Sequence, residues 1–169
     1  MTQIREETPA DYDAIREVNR RAFGEENVAE LVDHLRDDGV VIASLVATEA
    51  GQVLGHILFS ETPIETEQGV LAGAILSPLA VVPERQGVGI GSALVRRGIE
   101  VCRERGRTVL MVLGHPTYYP RFGFSAELAR NVRSKYSGAG DAFMAMELEP
   151  GALAGGGTAR VPAAFDLVD

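Results

Sequence analysis

A long apolar segment is followed directly by a glycine-rich loop and an amphipathic helix, and this succession limits the possible folds more than any other feature. Residues 70–82 are apolar almost throughout, which is typical of a strand buried on both faces. Three alternating glycines lie within residues 86–91, and the apolar side chains of residues 89–105 fall on one side of a predicted helix. Because proline removes a donor from the strand ladder, we expect the apolar strand to be broken or bulged near Ser77 and Pro78.

The spacing of apolar residues elsewhere predicts a mixed α/β fold. A short strand at residues 3–6 and two amphipathic helices that end near Gly39 precede a change to β-rich sequence. The further strands are predicted at residues 40–47, 53–59, 70–82, 108–113 and 142–148. Residues 49–52 form a hairpin signal between the first two of these. A hairpin followed by strand, helix and strand indicates a mixed α/β sheet.

The length of 169 residues predicts one domain, which we assign to residues 1–150. Residues 151–169 are expected to form a flexible link rich in glycine and alanine and a short C-terminal tail. The chain has no apolar run of the ~18 residues that span a bilayer and no apolar signal segment after Met1, so we expect a cytoplasmic protein with no membrane partner. The single cysteine, Cys102, can form neither an internal disulfide nor a cysteine-based metal site, and no metal is expected.

The net charge of -8 argues against nucleic acid as a partner, because binding to phosphates depends on lysine and arginine. The charge is unevenly distributed along the chain. Residues 84–107 contain six arginines and three acidic residues, a local charge of +3, and a basic region of this kind can hold a small anionic ligand. The alternative is a solvated helix face on which ion pairs form.

The glycine-rich loop, residues 86–91, carries most of the chemical information. Glycine lets backbone N–H groups approach a ligand closely, and N–H groups at a helix start lie unpaired at the positive end of the helix dipole. These features suit a pyrophosphate; a tight strand-to-helix turn without a ligand is the alternative. The loop lacks the Gly-Lys-Ser/Thr ending of a P-loop, and Ser92 stands where a dinucleotide fingerprint has its third glycine or alanine, so neither of those sites fits.

Two motifs resemble those of a known family. Gln86, Gly89 and Gly91 match a Q/R-x-x-G-x-G/A signature, and Tyr-Tyr-Pro-Arg-Phe-Gly-Phe at residues 118–124 is similar to an aromatic-Gly-Phe motif further along the same fold. Over roughly residues 4–148 the chain resembles the GCN5-related N-acetyltransferase (GNAT) family, most of all its branch of predicted N-acetyltransferases. The resemblance implies a mixed, mostly antiparallel sheet with a bulged central strand and helices on both faces. It also implies acetyl-CoA as the acyl-donor co-substrate.

The resemblance implies roles for individual residues. The backbone that pairs with the pantetheine arm of the cofactor would be that of Leu79, Ala80 and Val81. The pyrophosphate would be held by the backbone amides of Gln86, Gly87, Val88, Gly89, Ile90, Gly91 and Ser92. Tyr119, four residues before Gly123, lies where the family often has a general acid for the leaving thiolate, and a phenol can protonate or stabilise such an anion. The alternative role of Tyr119 is to pack beside Phe122 and Phe124.

The general base is less clearly marked, because residues 70–82 contain no Asp, Glu or His. His115 is the first candidate, since the ordinary pKa of histidine suits proton transfer and this residue follows a predicted strand. His56 and Glu61 are the alternatives.

The resemblance implies an N-acetyltransferase that transfers the acetyl group of acetyl-CoA to a primary amine by direct attack in a ternary complex. The alternatives are a non-catalytic acyl-CoA-binding or regulatory module of the same fold and a nucleotide-binding protein of another kind. The acceptor would be a small-molecule or protein amine, and the protein a monomer or homodimer. Residues 1–67 contain fifteen acidic residues and five arginines, a charge of -10, which would attract a protonated amine or only keep the protein soluble.

Overall fold

The structure is a computed structural model that describes residues 1–169, and it contains two sheets. Six strands form the larger sheet: β1 (Gln3–Glu6), β2 (Val41–Glu49), β3 (Gln52–Glu61), β6 (Gly73–Val81), β7 (Val109–Leu113) and β9 (Phe143–Glu147). They lie in the order β1-β2-β3-β6-β7-β9, and only the β6–β7 pair is parallel. The prediction of a mixed, mostly antiparallel sheet is therefore confirmed.

The smaller sheet is formed by β4 (Ile64–Thr66), β5 (Gly69–Leu71), β8 (Val132–Arg133) and β10 (Gly157–Ala159), in the order β5-β4-β10-β8. It differs from the sequence-based expectation in two ways. The predicted strand at residues 70–82 is two strands in different sheets, and β4 lies between the predicted strands at residues 53–59 and 70–82, where no strand was expected. Continuous apolar sequence cannot distinguish one buried strand from two that are separated by a single residue, here Ala72.

Helices cover both faces of the larger sheet, as predicted. They are α1 (Tyr12–Phe23), α2 (Asn27–Asp37), α3 (Ile90–Glu104) and the short α4 (Ala126–Ala129). Adjacent residues of a strand point to opposite faces. On β3, a Cβ atom at Gly55 would lie 3.0 Å from Leu94 of α3, whereas the next residue, His56, contacts Asn19 of α1. None of the helices combines the length and the apolar character that crossing a membrane requires.

Helix α3 packs unusually close to the sheet at Gly98. A Cβ atom at this position would lie 2.3 Å from the ring of Phe59, which is fully buried on β3. Any side chain larger than hydrogen would therefore require α3 or the ring to move. The apolar face that the sequence predicted for this helix packs around the same contact and includes Leu94, Val95 and Cys102, all 0% exposed.

Strand β6 is interrupted where the sequence predicted an interruption. Ile57 pairs with Leu79 but Phe59 pairs with Leu76, so β6 contains one extra residue opposite β3, and the Ser77–Pro78 peptide bond is cis. Pairing with β7 ends at Leu76. Residues 77–81 of β6 consequently have no partner strand on their β7 side.

Residues 151–169 pack against the rest of the chain, where we expected a flexible link and a tail. Strand β10 completes the smaller sheet, and Leu153 and Phe165 are 0% and 2% exposed. Close approach of β10 to β4 requires Gly157, because a Cβ atom there would lie 2.6 Å from Ile64. Gly157, one of the glycines that indicated a link, thus serves packing, and the apolar side chains of Leu153 and Phe165 fix the segment to the core.

Candidate functional site

A cavity of about 390 Å³ lies between the end of β6 and the start of α3, and we call it the loop cavity. It is lined by Leu79 and Val81 of β6, by the glycine-rich loop, and by Ser92, Tyr118 and Arg121. The cavity exists because β7 separates from β6 after Leu76, which leaves the last part of β6 open on that side. The structure thus brings together the apolar strand, the loop and the aromatic motif that the sequence analysis singled out.

The backbone of the glycine-rich loop offers a row of N–H groups that have no acceptor within the protein. Gly87 and Gly89 have φ angles of +77° and +96°, in the left-handed region that favours glycine. None of the consecutive backbone N–H groups of residues 87–92 donates a hydrogen bond within the protein. The side-chain amide of Gln86 donates to the carbonyl of Val81 at 2.9 Å and holds the loop against β6. A row of free N–H groups at a helix start suits a phosphate or diphosphate group.

The remaining predicted loop and strand residues can contribute only their backbone. Ala80 and Ile90 are buried in the core, and Val88 is 66% exposed at the surface. None of these three side chains lines the loop cavity.

Two arginines add positive charge to the loop cavity. Arg85 forms a two-pronged ion pair with Glu49, at 2.9 and 3.2 Å. Arg121 has no carboxylate partner; its guanidinium stacks 4.5 Å from the centre of the Tyr118 ring, and its Nε donates to the Tyr118 carbonyl at 2.8 Å. An arginine without an acidic partner is available for an anionic ligand. Neither Tyr118 nor Arg121 was predicted as a site residue, although both lie inside the aromatic motif.

The basic region at residues 84–107 is largely neutralised by neighbouring acids. Ion pairs are formed by Arg85, Arg97, Arg103, Arg105 and Arg107. Arg96 has none and lies over the ring of Phe122 instead. Most of these arginines are therefore ion-paired, as the alternative interpretation expected, although Arg85, Arg105 and Arg107 lie outside α3.

The two adjacent tyrosines occupy different environments. The Tyr118 hydroxyl lies 3.0 Å from the Ser92 hydroxyl, inside the loop cavity. Tyr119 is 7% exposed and packs against Phe124 and against Gly114, where a Cβ atom would lie 2.4 Å from the tyrosine ring. Burial raises the pKa of Tyr119 to about 12, with a smaller contribution from Tyr118. Tyr119 is thus a protonated phenol at the start of the 3₁₀ helix Tyr119–Phe122, which follows β7 in the chain, and its catalytic role stays a prediction.

The candidate general bases lie outside the loop cavity. The side chain of His115 is exposed, and its backbone carbonyl accepts the N–H of Tyr118 at 3.1 Å. Glu61 lies at the far end of β3, opposite Ala74, and pairs with Arg107 at 3.9 Å. The structure does not bring either side chain into the cavity lining.

His56 is part of a buried polar chain that links β3 to α1 and β2. Asn19 donates to Nδ1 of His56 at 3.1 Å, so Nε2 carries the proton and donates to the Ser44 hydroxyl at 2.8 Å. Ser44 in turn donates to Glu7, which pairs with Arg36 at 2.9 Å. Burial, and secondarily the charge of Arg36, lowers the pKa of His56 to about 3. Both ring nitrogens are occupied, so this histidine is a structural element and not a base.

The depressed pKa of His56 predicts a loss of stability in mild acid. Between about pH 6.5 and about pH 3 the unfolded chain binds a proton that the folded chain does not, so the free energy of unfolding falls as the pH is lowered through this range, by about 1.4 kcal/mol per pH unit. The paired carboxylates of Asp11 and Glu49, each with a pKa of about 2, add to the loss below about pH 5.

Urea denaturation at about pH 6.5 and about pH 5 measures the effect of His56, above the range of the carboxylates. In the variant His56→Gln this dependence on pH should disappear, whatever the stability of the variant at neutral pH. If the free energy of unfolding changes equally with pH in both proteins, His56 is not the group responsible.

Comparisons with known proteins agree with this geometry. The chain matches the model of the acetyltransferase (GNAT) domain over residues 3–126. It is 46% identical over 117 residues to the uncharacterised N-acetyltransferase YjhQ of Escherichia coli K12. The matched region is 68% of this chain and 65%, just under two thirds, of YjhQ. It is 36% identical over 153 residues to the N-acetyltransferase YhbS of the same strain, covering 90% of each chain.

Two crystal structures resemble the whole fold. The GNAT family N-acetyltransferase YhbS from Escherichia coli, in complex with CoA, has a TM-score of 0.88 and 34% identity over 98% of this chain and 92% of that chain. A GNAT family acetyltransferase from Brucella melitensis, in complex with acetyl-CoA, has a TM-score of 0.82 and 36% identity over 98% and 99%. Since the domain model covers most of the chain and these relatives match it almost from end to end, this protein belongs to the GNAT acetyltransferase family.

Proposed function

We propose that this protein transfers the acetyl group of acetyl-CoA to a primary amine. The observation that carries the proposal is the row of free N–H groups at residues 87–92, next to the part of β6 that lacks a partner strand. The complexes of the Escherichia coli and Brucella relatives with CoA and acetyl-CoA support this choice of ligand.

In this proposal the loop cavity binds the acyl donor in two parts. The amides of residues 87–92 and Arg121 hold the diphosphate, while the backbone of residues 77–81 pairs with the pantetheine arm much as it would with a further strand. Leu79 and Val81 line the cavity with apolar side chains on the pantetheine side. The hydroxyls of Ser92 and Tyr118 lie at the entrance to the helix and offer additional hydrogen bonds.

The proposed reaction is direct attack within a ternary complex. The amine nitrogen forms a bond to the thioester carbonyl carbon, and the carbon–sulfur bond then breaks. Tyr119 gives its phenolic proton to the departing thiolate, and burial keeps this phenol protonated at neutral pH. The amine releases a proton, which passes through water to His115, the exposed titratable group on the turn that precedes Tyr119.

Acetyl-CoA turnover with a panel of amines tests the proposal. We expect acetyl-CoA to raise the melting temperature of the protein, because it binds only the folded state, and free CoA thiol to be released in the presence of an accepted amine. If acetyl-CoA stabilises the protein but no small or peptide amine causes thiol release, the protein is a non-catalytic acyl-CoA-binding module.

A further inference from the structure

A second cavity, of about 360 Å³, opens onto the same strand from the face that carries α1 and α2. Ser77 and Pro78, at the bulge of β6, line this cavity, and Leu79 lines the loop cavity. Both cavities therefore reach β6 within two positions of each other, at the point where β7 leaves it. A group held in one is close to a group held in the other.

We propose that this second cavity binds the acceptor and selects amines that carry a second positive charge, as linear diamines do; the proposal rests on the function proposed above. The cavity has three polar side chains, Glu25, Asn27 and Ser77, and none of its lining residues is cationic. The rest of the lining is apolar and consists of Phe23, Val28, Leu31, Pro78 and Val168. This combination suits an apolar carbon chain with a cationic end.

Glu25 provides the negative charge. Its neighbour Glu26 pairs with Arg20 at 3.3 Å, whereas Glu25 forms no ion pair, although three arginines lie within α1. A carboxylate without a partner at the edge of an apolar cavity attracts an ammonium group and repels a ligand carboxylate.

Asn27 supplies an unsatisfied hydrogen-bonding group. Its side-chain oxygen is buried and has no hydrogen-bond partner in the protein. An ammonium group in the cavity can donate the hydrogen bond that this oxygen lacks. An unpaired buried polar group is costly unless a ligand satisfies it.

The C-terminal segment closes the cavity. Val168 follows a 3₁₀ helix, Ala163–Leu167, that packs against α2. Lys135 pairs with Asp166 at 2.5 Å and with Asp169, and the Tyr136 hydroxyl donates to Asp169 at 3.2 Å. These contacts hold Val168 in place as an apolar wall, so the carbon chain of an acceptor can lie between it and α2.

In the proposed complex one end of a diamine is an ammonium group held by Glu25 and Asn27. The other end lies at the bulge of β6, where it attacks the thioester as a neutral amine. A monoamine of the same length has no second ammonium group for Glu25 and Asn27 to hold. An amino acid of that length has a carboxylate in its place, which Glu25 repels.

Three five-carbon substrates test this selectivity: diaminopentane with an amine at each end, aminopentane, and the aminopentanoate in which a carboxylate takes the place of the second aminomethyl group. We expect kcat/KM to decrease in that order. Glu25→Gln should lower kcat/KM for diaminopentane by ~5-fold or more and change kcat/KM for aminopentane much less. Glu26→Gln is the matched control and should change neither. Equal values for the three substrates, or a Glu25→Gln variant that keeps the wild-type kcat/KM for diaminopentane, would overturn the proposal while leaving acetyl transfer intact.

Calorimetric binding of diaminopentane in the presence of CoA separates this inference from the proposed function. If no amine is acetylated but wild-type protein binds diaminopentane and Glu25→Gln does not, acetyl transfer is wrong and the cationic site stands. If wild type and variant bind it equally, or neither binds it, the site is wrong.

Discussion

Replacing Gly89 with valine is expected to abolish the thermal stabilisation that acetyl-CoA gives to the wild-type protein, with a loss of affinity of ~100-fold or more. Gly89 has a φ angle of +96°, which a β-branched residue avoids at a cost of about 1–3 kcal/mol. The backbone would turn toward negative φ, and the N–H groups that follow would no longer point into the loop cavity. The protein itself should still fold, since a Cβ atom at Gly89 meets no other atom within 4 Å.

Gly106→Val is the matched control for this experiment. Gly106 also has a positive φ angle, +77°, and open space around its Cα atom, but it follows the other end of α3 and lies outside the loop cavity. Both variants should lose similar stability in urea denaturation, while only the control keeps its response to acetyl-CoA. A normal response in Gly89→Val would mean that the loop does not hold the acyl donor.

The second large effect is expected for Tyr119→Phe, which should lower kcat by ~10²-fold and change the KM for acetyl-CoA little. The substitution keeps the ring that packs against Phe124 and Gly114 and removes only the proton donor. Tyr118→Phe is the comparison: it removes a hydroxyl that faces the loop cavity, so it should raise the KM for acetyl-CoA by a few-fold with kcat nearly unchanged.

The pH dependence of kcat provides a separate check on Tyr119. Because burial raises the pKa of this phenol to about 12, the acid form persists and kcat should not decrease between about pH 8 and about pH 10. If Tyr118→Phe, and not Tyr119→Phe, lowers kcat, the proton comes from the hydroxyl in the loop cavity and the assignment of Tyr119 is wrong.

Features that depend on local sequence were predictable. The alternating glycines permit positive φ angles in the loop, and the apolar face of α3 repeats with the period of a helix. The proline in β6 removes a hydrogen-bond donor from its strand. The smaller sheet was not predictable in the same way. Its strands have two or three residues each, which is too short for a recognisable sequence pattern. The pairing between β4 and β10 joins positions almost a hundred residues apart, so no local pattern marks either of these two strands.

The candidate site shows the same division. The motif at residues 118–124 indicated an aromatic cluster, but its spacing could not tell which tyrosine faces the loop cavity, because the orientation depends on how the 3₁₀ helix Tyr119–Phe122 packs. The second cavity could not be predicted from the sequence, because it forms only where the turn before α2, the bulge of β6 and Val168 meet.

The contact between Gly98 and Phe59 has a consequence at the other end of α3. Gly98 lies seven residues, roughly 10 Å of helix, from Gly91. Its contact with Phe59 prevents α3 from sliding along its axis and holds the helix against the sheet. The amides at the helix start are therefore held in position before any ligand arrives, so little ordering free energy is lost on binding. A larger side chain at residue 98 would displace the amides without touching the ligand. In the proposed complex, the affinity for the acyl donor thus depends in part on a core position that no ligand atom reaches.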